Sequence, residues 1–479
     1  MSALVWYRND LRVADHSPLA AALACGKPVR AVYQLCPQQW DAHDVAPLRR
    51  WYVLESLREL GKALAAIGVS LEILESDDFS SAPGLLAALC KKHGVTDLYC
   101  NREYPLNELN RDRAVTQALR PLSVNLHGFD DGVLVPPRQL KTGKGTPYTV
   151  FTPYARAWRR WLADNPPLLP ALPGGQKAVS FRGNAAIDRA LQALSLNREL
   201  KQGWQPGERA ARQMLDDFLA AGLADYGNAR DFPARPGTSG LSTALSAGTL
   251  SAQRCYVLAG REMLGNPAAA EGARVWINEL AWRDFYRQIM ANFPGLARGL
   301  PFRPETACIR WNDNESLFRA WCDGRTGYPL VDAAMRQLRQ TGWMHNRLRM
   351  VSAMFLSKHL FIDWRRGERW FMQNLMDGDL AANNGGWQWS ASTGTDAAPY
   401  FRVFSPIRQS ERFDAGGDFI RRLVPELAAL NDKQIHQPWK HADLVPDYPA
   451  PVVEHKGVKE KVTAAFQAAR QQSEEAGRA

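Results

Sequence analysis

The strand signals of this chain end near residue 130, and that break restricts the available folds more than any other feature. Residues 1 to about 130 alternate the β-rich runs ALVWYR, PVRAVYQLC, SLEILES, TDLYCN and SVNLHGF with helix-period segments such as 49–66 and 80–93. This is the pattern of βαβ units, so an α/β domain with a doubly wound, Rossmann-like parallel sheet is expected. No GxGxxG follows the first strand, so the dinucleotide fingerprint is absent. From about 131 to 205, Pro136, Pro137 and the run NPPLLPALPGG forbid a continuous element, apart from a helical piece at Tyr154 to Leu162. After about 206 long helical patterns dominate and 10 of the 16 Trp occur there, which predicts an all-helical C-terminal domain built around something aromatic. The expected division is therefore 1–130, a linker at 131–205, and 206–479. The charged, Ala- and Gln-rich stretch from about 455 reads as a solvated or frayed helix.

Fifty-nine Lys and Arg against 49 Asp and Glu give a net charge of +10, which fits a polyanionic partner or a merely basic enzyme. The seven Cys are scattered without a CxxC pair, which argues against a zinc ribbon or disulfide framework and fits the reducing cytoplasm. With no run of 18 apolar residues, neither secretion nor membrane spanning is expected.

The densest chemistry lies in DGDLAANNGGWQWSASTGTDAAPYFR, residues 377–402. Two acids, an Asn pair, a Gly pair and two Trp flanking Gln388 fit neither the helical nor the strand period of a core. The stretch has no His or Cys for a metal and no nucleophile grouping. Polar groups beside aromatic faces suit a flat heteroaromatic cofactor or a stacked base.

Over 344–358, Met344, Leu348, Val351 and Phe355 form a helical core stripe. Asn346, Met350, Ala353 and Ser357 form a second face that either lines a pocket or packs on another helix. Arg349, on the border of that face, is placed to pair with Asp377 or Asp379. In 274–287, Glu279, Trp282 and Arg283 share one face, as a surface ion pair or as a carboxyl beside an aromatic platform. The run GTSGLSTALSAGTLS at 237–251 reads as a turn entering a helix, whose amides and hydroxyls serve as an anion site or as ordinary caps. Asn107 and Glu108 follow the fourth strand, where open sheets place either ligand contacts or plain loop residues.

WYRNDLR at 6–12, TSGLS at 238–242, WINELAWRDFYR at 276–287, TGYPLVDAAMRQL at 326–338, TGWMHNRLRM at 341–350 and DGDLAANNGGWQW at 377–389 resemble the DNA photolyase/cryptochrome family. Within it they are most similar to bacterial class I cyclobutane pyrimidine dimer photolyases. The resemblance implies an α/β antenna domain, a linker and a helical FAD-binding domain. It also implies light-driven repair, in which reduced flavin, FADH⁻, lends an electron to a lesion flipped out of UV-damaged DNA. By motif, Tyr226, Thr238, Ser239, Gly240, Leu241 and Ser242 would hold the cofactor phosphates, and Trp276, Arg283, Arg349, Asp377, Gly378 and Asp379 would line FAD. Asn383 would face flavin N5, and Trp387, Trp364 and Trp311 would carry electrons to oxidised flavin. Glu279, Trp282, Asn346, Met350 and Trp389 match the lesion pocket, and Arg230 and Arg347 are candidates for contact with the DNA.

Asn107 and Glu108, with His43 and Arg298, suit a methenyltetrahydrofolate antenna, a deazaflavin or an empty site being the alternatives. Gly240 departs from the usual larger residue at its position. A monomer is expected. Photolyases specific for (6-4) photoproducts place His where this chain has Asn346 and Met350, so cyclobutane dimers are the expected substrate. His345 is expected to turn away from the lesion, about 100° round a helix from Asn346. Asn383 and the Glu279, Trp282 and Trp389 set favour repair over a cryptochrome photoreceptor, and no nicotinamide site supports an oxidoreductase.

Overall fold

The computed structural model describes residues 1–174 and 176–476. The chain forms two compact units: Met1–Ala224, Ser239–Pro294 and Met376–Asp379 make the first, and Asp225–Thr238, Gly295–Leu375 and Leu380–Ala479 the second.

The first unit contains the five expected strands, β1 (Ser2–Tyr7), β2 (Val29–Leu35), β3 (Ser70–Glu75), β4 (Val95–Asn101) and β5 (Asn125–Phe129). All pair in parallel in the order β3-β2-β1-β4-β5. Every residue of β1 is buried, because a central parallel strand is covered on both faces. Its alternation divides the core: Val5 and Tyr7 pack with Leu54, Leu57 and Leu60, while Leu4 and Trp6 pack with Leu86, Leu98 and Val115.

The helical piece in the connector spans Phe151–Asp164, burying Phe151, Tyr154, Ala155, Trp158 and Leu162 at helical spacing. Its partner is the long helix Ala270–Asn292. Asp284 on that helix is 1% exposed and accepts from Leu134 N, Val135 N and Trp158 Nε1 at 2.8, 3.0 and 3.0 Å. One carboxylate thus satisfies two backbone amides of a segment with no ladder partners.

The second unit packs helices Glu315–Cys322, Pro329–Thr341, Asn346–Met354, Trp364–Asn374 and Leu380–Ala391 around Trp321, Leu348, Phe355, Trp364, Phe371 and Trp387. Gly367 is required here, since an added Cβ would meet the Trp387 ring at 2.2 Å. Two expectations need correction. Leu348, Val351 and Phe355 do form a buried stripe, but the regular helix begins at Asn346 and widens into a π turn at Phe355–His359. His345 is its N-cap, not a residue on its surface, so the angle drawn from Asn346 does not apply. The C-terminal helix Val458–Ala476 is not merely solvated: Val458, Val462, Phe466 and Ala469 pack against Ile309 and Phe361. Their spacing of three and four was a helical stripe hidden among charged residues. No helix among the described residues is long and apolar enough to cross a membrane.

Candidate flavin and lesion site

In the first unit, Met376–Asp379 is held by residues far away in sequence. Arg49 Nη1 donates to Ser246 Oγ at 2.5 Å and to the Met376 carbonyl at 3.2 Å. Ser246 Oγ reaches the Gly378 carbonyl at 3.4 Å. Asp379 accepts from Arg287 at 2.9 Å. Arg283, one turn earlier, donates to the carbonyls of Gly132 and Leu245 at 2.7 and 3.2 Å. Burial, with the neighbouring Arg287, pushes its guanidinium down to about 10, while Asp284 and Asp379 oppose the shift. Arg49 is likewise lowered, by burial, while Asp379 and Asp377 oppose the shift. Neither Arg49 nor Arg287 was singled out from sequence, where both read as ordinary helix charges.

Ser239, Gly240, Leu241 and Ser242 belong to this unit, and Gly240 has a φ of +66° that favours glycine. The helix they enter, Ser242–Ala247, is only six residues long, and its N-cap Leu241 supplies no side-chain bond. The anion site read there from helix caps is therefore short of a full macrodipole. Ser251 does cap, for the next helix, Ala252–Gly265, accepting from Arg254 N at 3.0 Å. Trp276 is buried against Phe218 at 5.1 Å between ring centroids. Glu279 is half-buried, and Trp282 stacks on Phe151 with ring centroids 3.6 Å apart and planes 6° from parallel. Phe151 thus covers one face of Trp282, a contact that spacing within 274–287 does not reveal.

Elsewhere in this unit Asn107 Nδ2 lies 3.0 Å from His43 Nε2, and Gln39 meets the same nitrogen at 2.9 Å. Glu108 approaches His43 only to 3.8 Å. Its Oε2 is buried without a hydrogen bond, and burial, with Glu103 nearby, pushes the carboxyl up to about 7. Asn107, Glu108 and His43 are therefore one cluster, whereas Arg298 is exposed and belongs to the second unit.

In the second unit, Asn383 Nδ2 donates to the Glu368 carbonyl at 2.9 Å, which directs the acceptor end of the amide elsewhere. Asn384 Nδ2 donates to Glu368 Oε1 at 2.9 Å, and Gln388 donates to Asn384 Oδ1 at 3.0 Å. Gln388 Oε1 in turn receives Phe302 N at 2.8 Å. Burial pushes the Glu368 carboxyl up to about 7. Glu368, 15 residues before Asn383, was also missed from sequence.

Trp387 is 2% exposed, edge-on to Phe371 and Trp321 at 4.9 and 6.0 Å, and Trp364 is fully buried beneath the Arg365 guanidinium at 4.7 Å. Trp311 is half-buried against Phe361 at 5.0 Å. Asn346 is exposed, Met350 and Trp389 are half-buried, and Ala353 and Ser357 are buried. Arg349 Nε donates to the Met344 carbonyl at 2.8 Å. Arg347 pairs with Asp231 at 2.9 Å over the Phe413 ring, and Arg230 lies over Tyr226 at 5.2 Å. Thr238 also belongs to this unit. His345 Nδ1 accepts from Arg347 N at 3.1 Å, and burial pushes its imidazole down to about 4.

Residues 3–178 match the family model for DNA photolyase, and residues 276–468 match that for the FAD binding domain of DNA photolyase. The chain belongs to the DNA photolyase family and carries its FAD-binding domain. It is 46% identical over 479 residues to the deoxyribodipyrimidine photo-lyase of Salmonella typhimurium, covering 98% of both chains. Among solved structures it resembles a bacterial class III photolyase from Agrobacterium tumefaciens (TM-score 0.87, 34% identity, 98% of each chain). It also resembles a cryptochrome from Synechocystis sp. PCC6803 (TM-score 0.84, 28% identity, 97% and 99% coverage).

The residues present fit FAD. Arg283, whose guanidinium donates to the carbonyls of Gly132 and Leu245, places a partly buried cation there that suits an anionic cofactor. Thr243 Oγ1, beside the Thr238–Ser242 segment, is buried without a partner. Asn383 keeps an acceptor oxygen free of its Glu368 bond.

Proposed function

We propose that this protein repairs cyclobutane pyrimidine dimers in DNA, using light and an electron lent by reduced FAD. When bound, the flavin supplies the photochemical electron; the chain binds, orients and excludes water. Thr238 to Ser242 and Tyr226 would bind the phosphates, and Arg283, Arg349, Asp377, Gly378 and Asp379 would surround the rest with Trp276. Asn383, oriented through the Glu368 carbonyl, would offer Oδ1 to the N5 position. Glu279 and Asn346 would hydrogen bond to the lesion bases, with Trp282, Met350 and Trp389 as apolar walls and Arg230 and Arg347 toward phosphates. Trp387, Trp364 and Trp311 would relay electrons to oxidised flavin from outside. The Asn107, His43 and Glu108 cluster would hold the antenna chromophore, methenyltetrahydrofolate, whose amino and amide groups suit the buried Oε2 of Glu108. The antenna assignment corresponds to residues 1–130 and catalysis to 206–479, joined by 131–205, in a monomer of the cytoplasm.

The observation that carries the choice of lesion is the state of His345. Rearranging a (6-4) photoproduct needs a proton donor as well as an electron, whereas splitting a cyclobutane dimer does not. Asn346 and Met350 have no suitable proton. His345, the adjacent imidazole, spends Nδ1 on capping its helix and is held neutral at physiological pH. Illuminating the reduced, FAD-loaded protein with oligonucleotides carrying one lesion of either type tests this. Restoration of the cyclobutane dimer alone is expected, and efficient restoration of the (6-4) substrate would overturn it.

A further inference from the structure

Lys358 is buried in the second unit at 1% exposure, and among the described residues its four hydrogen-bond partners are all neutral oxygens. Nζ donates to Ser392 Oγ at 2.8 Å and lies 3.5, 3.3 and 3.0 Å from the carbonyls of Pro399, Tyr400 and Arg402. Burial and the nearby Arg402 push the ammonium down to about 7, and the neighbouring His359 and His455 imidazoles bring no countercharge. A buried cation without a carboxylate is costly, and the lowered pKa follows from that, but Nζ donates to the surrounding oxygens in either protonation state.

What it organises is the segment 392–402. Ser392 has a φ of +66° and Asp396 of +46°, both uncommon for residues with a side chain. The segment turns back on the helix Leu380–Ala391, where Ala398 N donates to the Trp389 carbonyl at 3.2 Å. Three carbonyls converging on one point would repel each other without a shared donor. Beyond them the tip presents Phe401, 52% exposed, beside the exposed Arg402. An aromatic face next to a cation fits unstacked bases and phosphates.

We propose that Lys358 is a positioning residue for DNA recognition: its ammonium gathers Ser392 and the 399–402 carbonyls so that Trp389, Phe401 and Arg402 are presented together to lesion-bearing DNA. This rests on the repair function proposed above. Lys358 takes no part in the photochemistry, so binding and repair yield separate when it is changed.

The test uses FAD-loaded wild type and Lys358→Met, which keeps the bulk and removes the donors. Lys358→Met is expected to bind cyclobutane-dimer DNA about tenfold more weakly, the equivalent of one buried hydrogen bond. FAD content and light-saturated repair of bound substrate should stay at wild-type levels, and trypsin should cleave faster after Arg402. If Lys358→Met does not fold, Ser392→Ala, which removes the shortest contact, should lose about threefold in affinity with the same faster cleavage. Unchanged affinity and cleavage in the variant that folds would overturn the proposal, as would loss of FAD alongside affinity, which marks a general structural role. Wild-type preference for lesion DNA, measured in the same series, reports separately on the repair function itself.

Discussion

Asn383 donates its side-chain amide to the backbone carbonyl of Glu368 at 2.9 Å, so the side chain of Glu368 can be altered without turning the amide. The Glu368 carboxyl is pushed up to about 7 by burial, and therefore binds a proton in the folded state between pH 4.5 and 7 that the unfolded chain has released. Linkage then makes the folded state lose stability as pH rises through that window. Glu368→Gln keeps the Asn384 contact and cannot ionise. Its advantage over wild type should grow from near zero at pH 4.5 to about 1 to 3 kcal/mol at pH 8. Denaturant unfolding of both proteins across this range checks it, and parallel profiles would contradict it.

Arg287 and Asp379 stand 92 residues apart in the chain and pair at 2.9 Å, both partly buried. Arg287→Met and Asp379→Asn should each destabilise the protein and lower FAD retention. In the double variant the stability losses should fall short of additive by about 1 to 2 kcal/mol, because the second change removes nothing from a pair already broken. Additive losses in the cycle would make the pair incidental.

Trp282 stacks on Phe151 at 3.6 Å. Trp282→Ala should weaken binding to damaged DNA by roughly 1 to 3 kcal/mol while barely affecting undamaged DNA, since phosphate contacts are indifferent to the lesion. Phe151→Ala, which removes the ring behind the indole as well as a contact with Phe285, should show the same selectivity at smaller size. Equal losses on both DNAs in titrations would mark Trp282 as structural.

Trp387 lies in a fitted site among Phe371, Trp321 and Gly367 that a Phe can occupy without overpacking. Trp387→Phe should abolish photoreduction of oxidised FAD yet leave repair by chemically reduced protein nearly intact. Flash spectroscopy and a repair assay on one preparation separate the two. Loss of both with FAD still bound would contradict the assigned role.

All five strands and the helical character of the C-terminal half were legible in the sequence, because periodicity is local: β1 alternates faces within six residues, and Leu348, Val351 and Phe355 mark a stripe within eight. The candidate site was legible through long motifs, which name residue types close together in the chain. Which groups those residues meet was not, since Arg49 with Met376, Arg287 with Asp379 and Phe151 with Trp282 join positions over 90 residues apart. The helix start at Asn346 was also a tertiary outcome: burial of His345 makes its imidazole a cap and holds it neutral. Sequence by itself determined the elements, through short-range sterics and hydrophobic period, and the family, through the resemblance of its long motifs. Only the folded chain decided which carboxyls and cations are buried together, because desolvation and pairing depend on neighbours in space that no spacing encodes.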